Sequence, residues 1–288
     1  MPISAPPPAS PAPRGWPVAP PGTALLMGVL NLTPDSFSDG GAFNAVDVAI
    51  ARGLDLQAEG ADILDIGGES TRPGAEPISG EEELARVLPV LIGLAHHLTI
   101  PLSIDTYKAS TAREALEHGA SIVNDIWGLQ RDPDMAHVVA DFDAGLCIMH
   151  NRPVIDPALD IVADMFGFFE RALHIAAHAG IDPGRLVLDP GIGFGKTYEQ
   201  NLICLNRLDA LHAFGLPILV GCSRKGFIGA ITGRKVAAER LAGSVAAHVV
   251  AATKGAAYIR AHDVAAHKDA LALASAIARE STQPAKAP

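Results

Sequence analysis

Eight short apolar runs place the strongest constraint on what this chain can fold into. Each run has the length of a buried strand, and a longer segment follows each of them. Parallel strands need a crossover of a dozen or more residues, usually a helix, and the spacing between the runs leaves room for one. The predicted strands cover residues 25–30, 62–66, 101–104, 121–124, 146–149, 186–188, 218–220 and 257–260.

The segments between these runs have helical periodicity. Apolar and small residues recur at i, i+3, i+4, i+7 and i+8 over 46–54 and again over 84–92. Longer helices are predicted over 161–178 and 234–254. Eight strand–helix pairs in about 250 residues are typical of an α/β fold of the (β/α)8 TIM barrel class. The rival is a doubly wound open sheet, which usually has a glycine-rich dinucleotide turn after its first strand, and that turn is absent here.

Composition narrows the classes of function. The 288 residues carry a formal net charge of −10, so we expect no basic surface for nucleic acid. No stretch of about 18 uncharged apolar residues occurs, so we expect no membrane span. The three cysteines are scattered, which predicts no zinc cluster and suits buried thiols in a reducing cytoplasm.

The ends of the chain differ in character from its centre. The first 22 residues hold nine prolines, so they cannot form a helix and are predicted to be a disordered or extended tail. They also lack the continuous apolar stretch of a signal peptide. The predicted layout is a Pro-rich tail at 1–22, a single barrel domain at 23–281 and a short tail at 282–288.

Polar residues stand at the carboxyl end of every predicted strand. Asn31 follows the first strand, Asp105 ends the third and Asp189 ends the sixth. In a barrel these ends converge on one mouth, where active sites lie. Because a buried carboxylate is costly unless it is paired, eight polar residues at equivalent places predict a functional site.

Part of this set suits a flat heterocycle. Asp105, Asn124 and Asp189 offer carboxylate and amide acceptors to a ligand that is rich in N–H donors. Lys225 suits a ring carbonyl or an imine nitrogen of the same ligand.

The remainder of the set suits a phosphate and a metal ion. Arg72, Arg260 and His262 offer cationic donors to a phosphate or a pyrophosphate. Asn31, with Asp35 nearby, suits a hard cation such as Mg²⁺ through oxygen ligands and water. The sequence therefore predicts a heterocycle at one end of the site and a metal-bridged pyrophosphate at the other.

Seven motifs occur in an order that resembles one enzyme family. They are NLTPDSFSDGG, DIGGESTRPGA, SIDTYK, VNDIWG, LDPGIGFGK, SRKGFIG and IRAHDV. Together they resemble the dihydropteroate synthases, folate-pathway enzymes and sulfonamide targets, from about residue 25 to residue 280. The residues NRP after His150 depart from the glycine that many members have there, which leaves the role of the fifth loop open.

The resemblance implies a barrel that condenses p-aminobenzoate with 6-hydroxymethyl-7,8-dihydropterin diphosphate and releases pyrophosphate. It implies Mg²⁺ as the cofactor, with Asn31 as its ligand, and loops at 31–44 and 66–77 that close over the site. The residues implied for the pterin diphosphate are Thr71, Asp105, Asn124, Asp189, Lys225, Arg260 and His262, and those for p-aminobenzoate are Pro73, Phe194 and Ser223. The candidate catalytic residues are Asp35, Arg72, Asp105 and Lys225.

The implied mechanism is SN1-like. Pyrophosphate leaves with the help of Mg²⁺, Asp105 and Asp189 stabilise the cation at the pterin methylene, and the aniline nitrogen attacks without a protein nucleophile. Two alternatives stay open: a pterin-binding barrel that transfers a methyl group to a corrinoid partner, and a non-catalytic pterin-binding protein. The expected partners are the two substrates, sulfonamides as competitors and, by the habit of the family, a second copy in a homodimer.

Overall fold

The fold is an eight-stranded parallel barrel surrounded by helices. The computed structural model describes residues 15–20, 22–33, 42–70 and 76–283, with the backbone alone for 42–44. All eight predicted strands are confirmed, and each boundary lies within one residue of its predicted place. The strands are β1 (Leu25–Asn31), β2 (Ile63–Gly67), β3 (Leu102–Asp105), β4 (Ile122–Asp125), β5 (Gly145–Met149), β6 (Leu186–Asp189), β7 (Leu219–Val220) and β8 (Tyr258–Ala261).

Helices cross from each strand to the next. Local sequence signals start them: Ser79 accepts the amide of Glu82 at the start of α2, and Asp160 caps α5 in the same way. No helix in the described ranges is long and apolar enough to cross a membrane. Within those ranges the α-helices are α1 (Ala42–Ala58), α2 (Gly80–Ala95), α3 (Ala109–Glu117), α4 (Met135–Asp141), α5 (Ile161–His178), α6 (Tyr198–Asn206), α7 (Gly226–Thr232), α8 (Leu241–Thr253) and α9 (Val264–Ala278).

The sheet closes on itself. Its strand order is β6-β5-β4-β3-β2-β1-β8-β7, and every neighbouring pair is parallel. A parallel bridge between Leu188 and Ile218 joins the two ends of that order, and the Leu188 amide donates to the Pro217 carbonyl at 3.0 Å. The barrel is confirmed over the open doubly wound sheet, and all eight carboxyl ends meet on one face.

One predicted helix begins later than expected. The helix predicted over 234–254 is wrong in its first seven residues, because α8 begins at Leu241 after a 3-10 turn at Ala237–Arg240. The Arg240 guanidinium donates to the carbonyls of Arg234 at 3.0 Å and Lys235 at 2.6 Å. These bonds fold the segment back on itself and occupy carbonyls that a longer helix would need.

The end of the barrel away from the mouth is apolar and covered. Trp16, which was assigned to the tail, lies 4.8 Å from the Tyr258 ring between centroids and donates its indole N–H to the Arg185 carbonyl at 3.0 Å. The Tyr258 hydroxyl donates to the Pro17 carbonyl at 2.8 Å. A Cβ on Gly145 would stand 2.8 Å from the indole nitrogen, so glycine makes room for the tryptophan. Residues 15–20 therefore pack on the barrel, ahead of the predicted boundary at 23, while 1–14 and 284–288 lie outside the described residues.

Candidate active site

A cleft opens at the carboxyl ends of the strands. Its empty volume, including the part open to solvent, is about 430 Å³. Eight of the residues predicted from the sequence line it, contributed by the ends of five strands and the loops after them. The lining consists of Val29, Asp105, Asn124, Ile126, Met149, Asp189, Phe194, Gly221, Ser223, Lys225, Arg260 and His262.

One guanidinium links two carboxylates at the base of this cleft. Arg260 Nε donates to Asp65 Oδ2 at 2.6 Å, and Arg260 Nη2 donates to Asp105 Oδ2 at 2.7 Å. Asn124 Nδ2 also donates to Asp65 Oδ2, at 3.1 Å. Charge-assisted bonds of this kind hold the planar guanidinium in a single orientation. Four strands, β2, β3, β4 and β8, are thereby tied together at the base of the cleft.

Two acceptor oxygens in the lining are left for a ligand. Asp105 Oδ1 and Asn124 Oδ1 are buried, and neither has a hydrogen-bond donor among the described residues. Buried acceptors are satisfied in nearly all native structures, so unsatisfied ones that line a cleft indicate a ligand that supplies N–H groups. This is the chemistry that the sequence predicted for the heterocycle end.

Two carboxyl groups in the cleft, those of Asp105 and Asp189, have raised pKa values. Burial raises the pKa of Asp105 to about 7, and Arg260 offsets this only in part because Asp65 raises the pKa again. Burial also raises the pKa of Asp189, although Lys225 and the Gly191 amide, which donates to Asp189 Oδ1 at 2.7 Å, favour the charged form. The carboxyl groups are thus poised to gain from a cationic or N–H-rich ligand.

Lys225 joins the loops after β6 and β7. Its ammonium donates to the Ile192 carbonyl and stands 4.6 Å from the centroid of the Phe194 ring. Burial lowers the pKa of Lys225 to about 8, and Asp189 counters this by favouring the ammonium. Phe194, predicted for p-aminobenzoate, and Lys225, predicted for the pterin, are therefore in contact with each other.

Ser223 and His262 form a second contact between loops. Ser223 Oγ lies 2.9 Å from His262 Nδ1 and accepts the His262 amide at 3.2 Å. Arg224, which precedes Lys225, forms an ion pair with Asp263. The loops after β7 and β8 are thus joined side by side at the edge of the cleft.

Four predicted residues lie outside the described residues: Asp35, Thr71, Arg72 and Pro73. Asn31 is described and ends β1, next to Gly67. A Cβ on Gly67 would stand 3.5 Å from Asp105 Cβ and 3.7 Å from Asn31 Oδ1, so these two side chains flank the same glycine. Asn31 therefore stands beside Asp105 at the mouth.

Comparison with known proteins supports this arrangement. The family described as "Pterin binding enzyme" matches residues 27–262. A dihydropteroate synthase from Clostridium beijerinckii is 48% identical over 219 residues, which cover 76% of this chain and 81% of that protein. One from Bacillus subtilis is 49% identical over 207 residues, 72% of each chain. The chain belongs to the dihydropteroate synthase family.

Solved structures of family members superimpose closely on the barrel. A dihydropteroate synthase from Clostridium difficile, solved in the presence of pteroic acid, has a TM-score of 0.87 and 46% identity and covers 89% of this chain and 97% of its own. The Xanthomonas albilineans enzyme with 4-aminobenzoic acid has a TM-score of 0.86 and 46% identity, covering 89% and 93%. The Yersinia pestis enzyme with a sulfonamide drug has a TM-score of 0.83 and 40% identity, covering 90% and 95%.

Asp65 belongs to the polar cluster at the base of the cleft, although it was not among the residues predicted for the site. Its side chain is fully buried, and it accepts from both Arg260 and Asn124. The signal was present, because a carboxylate at the centre of the apolar run ILDIG needs a buried partner. The identity of that partner depends on β8, which lies 195 residues further along the chain.

The family resemblance implies a Mg²⁺ ion, and Asn31 is the described residue whose side chain offers an oxygen for it. Mg²⁺ usually takes one or two protein oxygen ligands and completes its shell with water and substrate phosphates. The Asn31 side chain carries an amide oxygen of this type and lies beside Gly67 at the mouth. Within the described ranges, one group of three acidic or histidine side chains lies close enough together to hold a metal ion. It consists of Glu114, Glu117 and His118 at the carboxyl end of α3, outside the cleft lining.

Proposed function

We propose that this chain condenses p-aminobenzoate with (7,8-dihydropterin-6-yl)methyl diphosphate, giving 7,8-dihydropteroate and pyrophosphate in folate biosynthesis. The observation that carries the proposal is the pair of buried, unsatisfied oxygens on Asp105 and Asn124 in the cleft lining. A pterin ring presents ring and exocyclic N–H donors along one edge, and these match such acceptors. Membership of the family supplies the reaction.

The reaction we propose separates the loss of pyrophosphate from the attack of the amine. As the bond between the methylene and the diphosphate oxygen breaks, positive charge develops on the methylene and spreads into the pterin ring. Asp105 and Asp189 lie in the cleft, where carboxylate charge stabilises that cation. The aniline nitrogen then attacks the methylene and loses a proton, so no protein nucleophile is needed.

The leaving diphosphate needs positive charge at the mouth. His262 lines the cleft and is oriented by Ser223, so it can donate to the departing group. Arg260 is held between Asp65 and Asp105, and we assign it first to the alignment of those carboxylates. Mg²⁺, held by Asn31, would neutralise diphosphate charge. Asp35, Thr71 and Arg72 remain the proposed contacts from the two mouth loops.

The proposed p-aminobenzoate subsite lies over the Phe194 ring. Phe194, Ser223 and Lys225 line the same side of the cleft, and Pro73 is the proposed cover from the second loop. A sulfonamide resembles p-aminobenzoate in shape and in its aniline nitrogen, so we propose that it competes there. Support comes from the Yersinia pestis relative, whose structure holds a sulfonamide drug.

Two further proposals concern the state of the protein. Large apolar side chains are exposed near and on the last helices, among them Val236, Val250, Leu273 and Ile277. This exposed set is the surface that we propose for a homodimer. The described cysteines are all buried and unpaired, which suits our proposal of a reducing, cytoplasmic location.

A single assay tests the proposed reaction. Pyrophosphate release should require the pterin diphosphate, p-aminobenzoate and Mg²⁺ together, and should stop when any of them is omitted. Pterin diphosphate binding without any pyrophosphate release would contradict the synthase and favour the non-catalytic alternative. Methyl transfer from a methylated folate to a corrinoid protein would favour the methyltransferase.

A further inference from the structure

The loop that carries Phe194 packs its backbone directly on the fifth loop. This loop, residues 190–197, contains Gly191, Gly193 and Gly195 with φ values of 65°, 86° and 57°. A Cβ on Gly191 would stand 1.8 Å from the His150 carbonyl oxygen, and one on Gly195 would stand 2.4 Å from the Arg152 carbonyl oxygen. Only glycine permits this close approach of two backbones.

The Lys196 ammonium lies buried between the two loops. The residue is only 4% exposed, and its Nζ donates to the Gly191 carbonyl at 2.8 Å and the Phe194 carbonyl at 3.0 Å. Its third partner is His150 Nδ1, at 2.8 Å. An ammonium group has three donors, and here all three are used inside the protein. Lys196 is not in the cleft lining, so it acts on the loop and not on a ligand.

His150 and two charged residues orient that ammonium. His150 is fully buried, and because Nδ1 accepts from Lys196, its Nε2–H donates to Asp164 Oδ2 at 3.0 Å. Burial, reinforced by Lys196, lowers the pKa of His150 to about 3 and keeps the ring neutral. Arg152 Nη1 contacts the same Asp164 oxygen at 2.7 Å. Burial lowers the pKa of Lys196 to about 8, so it still carries its charge at neutral pH.

We propose that Lys196, oriented by His150 and Asp164, is a positioning residue for p-aminobenzoate and sulfonamide binding. The Lys196 ammonium donates hydrogen bonds to the carbonyls of Gly191 and Phe194 on the side of the loop that faces away from the cleft. These bonds determine where the Phe194 ring lies in the cleft. Lys225 holds the same loop from the cleft side, through the Ile192 carbonyl and the face of the Phe194 ring. The fifth loop, with its unexpected NRP sequence, then serves to support the p-aminobenzoate subsite.

The inference rests on the proposed function and makes a selective prediction. The pterin acceptors Asp105 and Asn124 come from β3 and β4 and make no contact with Lys196 or His150 among the described hydrogen bonds. The third pterin acceptor, Asp189, accepts from the amide of Gly191, whose carbonyl Lys196 holds. Removal of the Lys196 charge should therefore weaken p-aminobenzoate binding more than pterin binding, which keeps its contacts to Asp105 and Asn124. A purely structural lysine would lower stability and affect both substrates alike.

The experiment compares Lys196→Met with Lys268→Met in the full-length protein. Lys268 lies on α9 with a side chain that is 49% exposed and 3.6 Å from Asp62, so it is a matched control away from the cleft. A lost charge-assisted hydrogen bond corresponds to roughly ten- to a hundredfold in affinity. We expect KM for p-aminobenzoate, and the Kd of a sulfonamide titrated with pyrophosphate and Mg²⁺, to rise by about that factor. The KM for the pterin diphosphate should rise by a clearly smaller factor than the KM for p-aminobenzoate, and neither should change in the control.

Asp164→Ala provides a second variant in case Lys196→Met does not fold. It removes the acceptor of the His150 ring and should raise KM for p-aminobenzoate in the same direction, by a smaller factor, because Lys196 remains. An equal rise of both KM values, or a lower melting temperature with unchanged sulfonamide affinity, would overturn the inference. Absence of pyrophosphate release from the unmodified protein would instead overturn the proposed reaction, and the two sulfonamide titrations would still test Lys196.

Discussion

Two layers of side chains fill the barrel, and on four strands they are only two residues apart. On β2, β4, β6 and β8 the lower layer consists of apolar or aromatic residues, and the upper layer of carboxylate, amide or guanidinium groups. Successive inward side chains on a strand alternate with outward ones, so a step of two residues moves from one layer to the next. The pairs are Ile63 and Asp65, Ile122 and Asn124, Val187 and Asp189, and Tyr258 and Arg260.

The two layers differ in the interactions that their side chains make. In the lower layer, side chains pack on one another, and Trp16 covers them from below. In the upper layer, Asp65, Asp105 and Arg260 form ion pairs, yet Asp105 Oδ1 and Asn124 Oδ1 stay unsatisfied. Packing stabilises the fold without need of a partner, whereas unsatisfied polar groups lower stability until a ligand binds. Stability and function are thus separated along the axis of the barrel.

The largest effect is expected when the Arg260 guanidinium, which both Asp65 and Asp105 contact, is removed. Arg260→Met leaves the carboxylates of Asp65 and Asp105 without their counter-charge, so the free energy of unfolding should fall by about 3–5 kcal/mol and turnover should be lost. Urea unfolding at pH 7.5 and at pH 5.5 measures this, and the loss should shrink at the lower pH because Asp105, whose pKa burial raises to about 7, is then protonated. Arg113→Met, which removes an exposed ion pair with Asp141, is the control. Equal losses in the two variants would contradict the shared role of Arg260.

A matched pair on β6 compares the layers on one strand. Asp189→Asn replaces a charged acceptor with an amide, so pterin affinity measured by calorimetry should fall roughly ten- to a hundredfold. Val187→Ala, two residues earlier in the lower layer, should lower the free energy of unfolding and leave pterin affinity unchanged. If Val187→Ala weakened pterin binding as much as Asp189→Asn did, the separation of the two layers would be wrong.

Trp16, which packs against the lower layer, should affect the stability of the protein and not its activity. Trp16→Ala removes a half-buried indole and its hydrogen bond to Arg185, so we expect a loss of about 2 kcal/mol in the free energy of unfolding. The values of kcat and KM should not change. Val18→Ala, at a position that is 71% exposed, should alter neither stability nor activity. A change in kcat with Trp16→Ala would reveal coupling between the two ends of the barrel.

The smallest expected effect is a dependence of pterin affinity on pH. In the proposed complex, Asp105 accepts a pterin N–H more strongly when it is ionised, and burial raises its pKa to about 7. The protonated form prevails below that value, so affinity should rise with pH, by about tenfold between pH 5.5 and 7.5. Calorimetric titration across this range measures the slope, and Asp105→Asn should flatten it. An unchanged slope in that variant would assign the titration to another group, such as Asp189.

Much of the local structure could be predicted from the sequence. The strand runs were found to within one residue, and helix α5 was predicted with its observed bounds at 161–178. Eight of the predicted site residues line one cleft, because polar residues that end parallel strands must meet at one face of a closed barrel. The helix predicted from 234 was wrong at its start, since periodicity does not register that Arg240 binds the carbonyls before it.

The sequence by itself determined the barrel, its polar mouth and the family, because periodicity, strand ends and motif order are local properties of the chain. Only the tertiary structure decided which groups are partners. Arg260 meets Asp65 and Asp105 across 195 and 155 residues, and Lys196 meets His150 across 46. Such pairs form only when the barrel closes and excludes water. Burial then sets both their bonding and the pKa values of the groups involved.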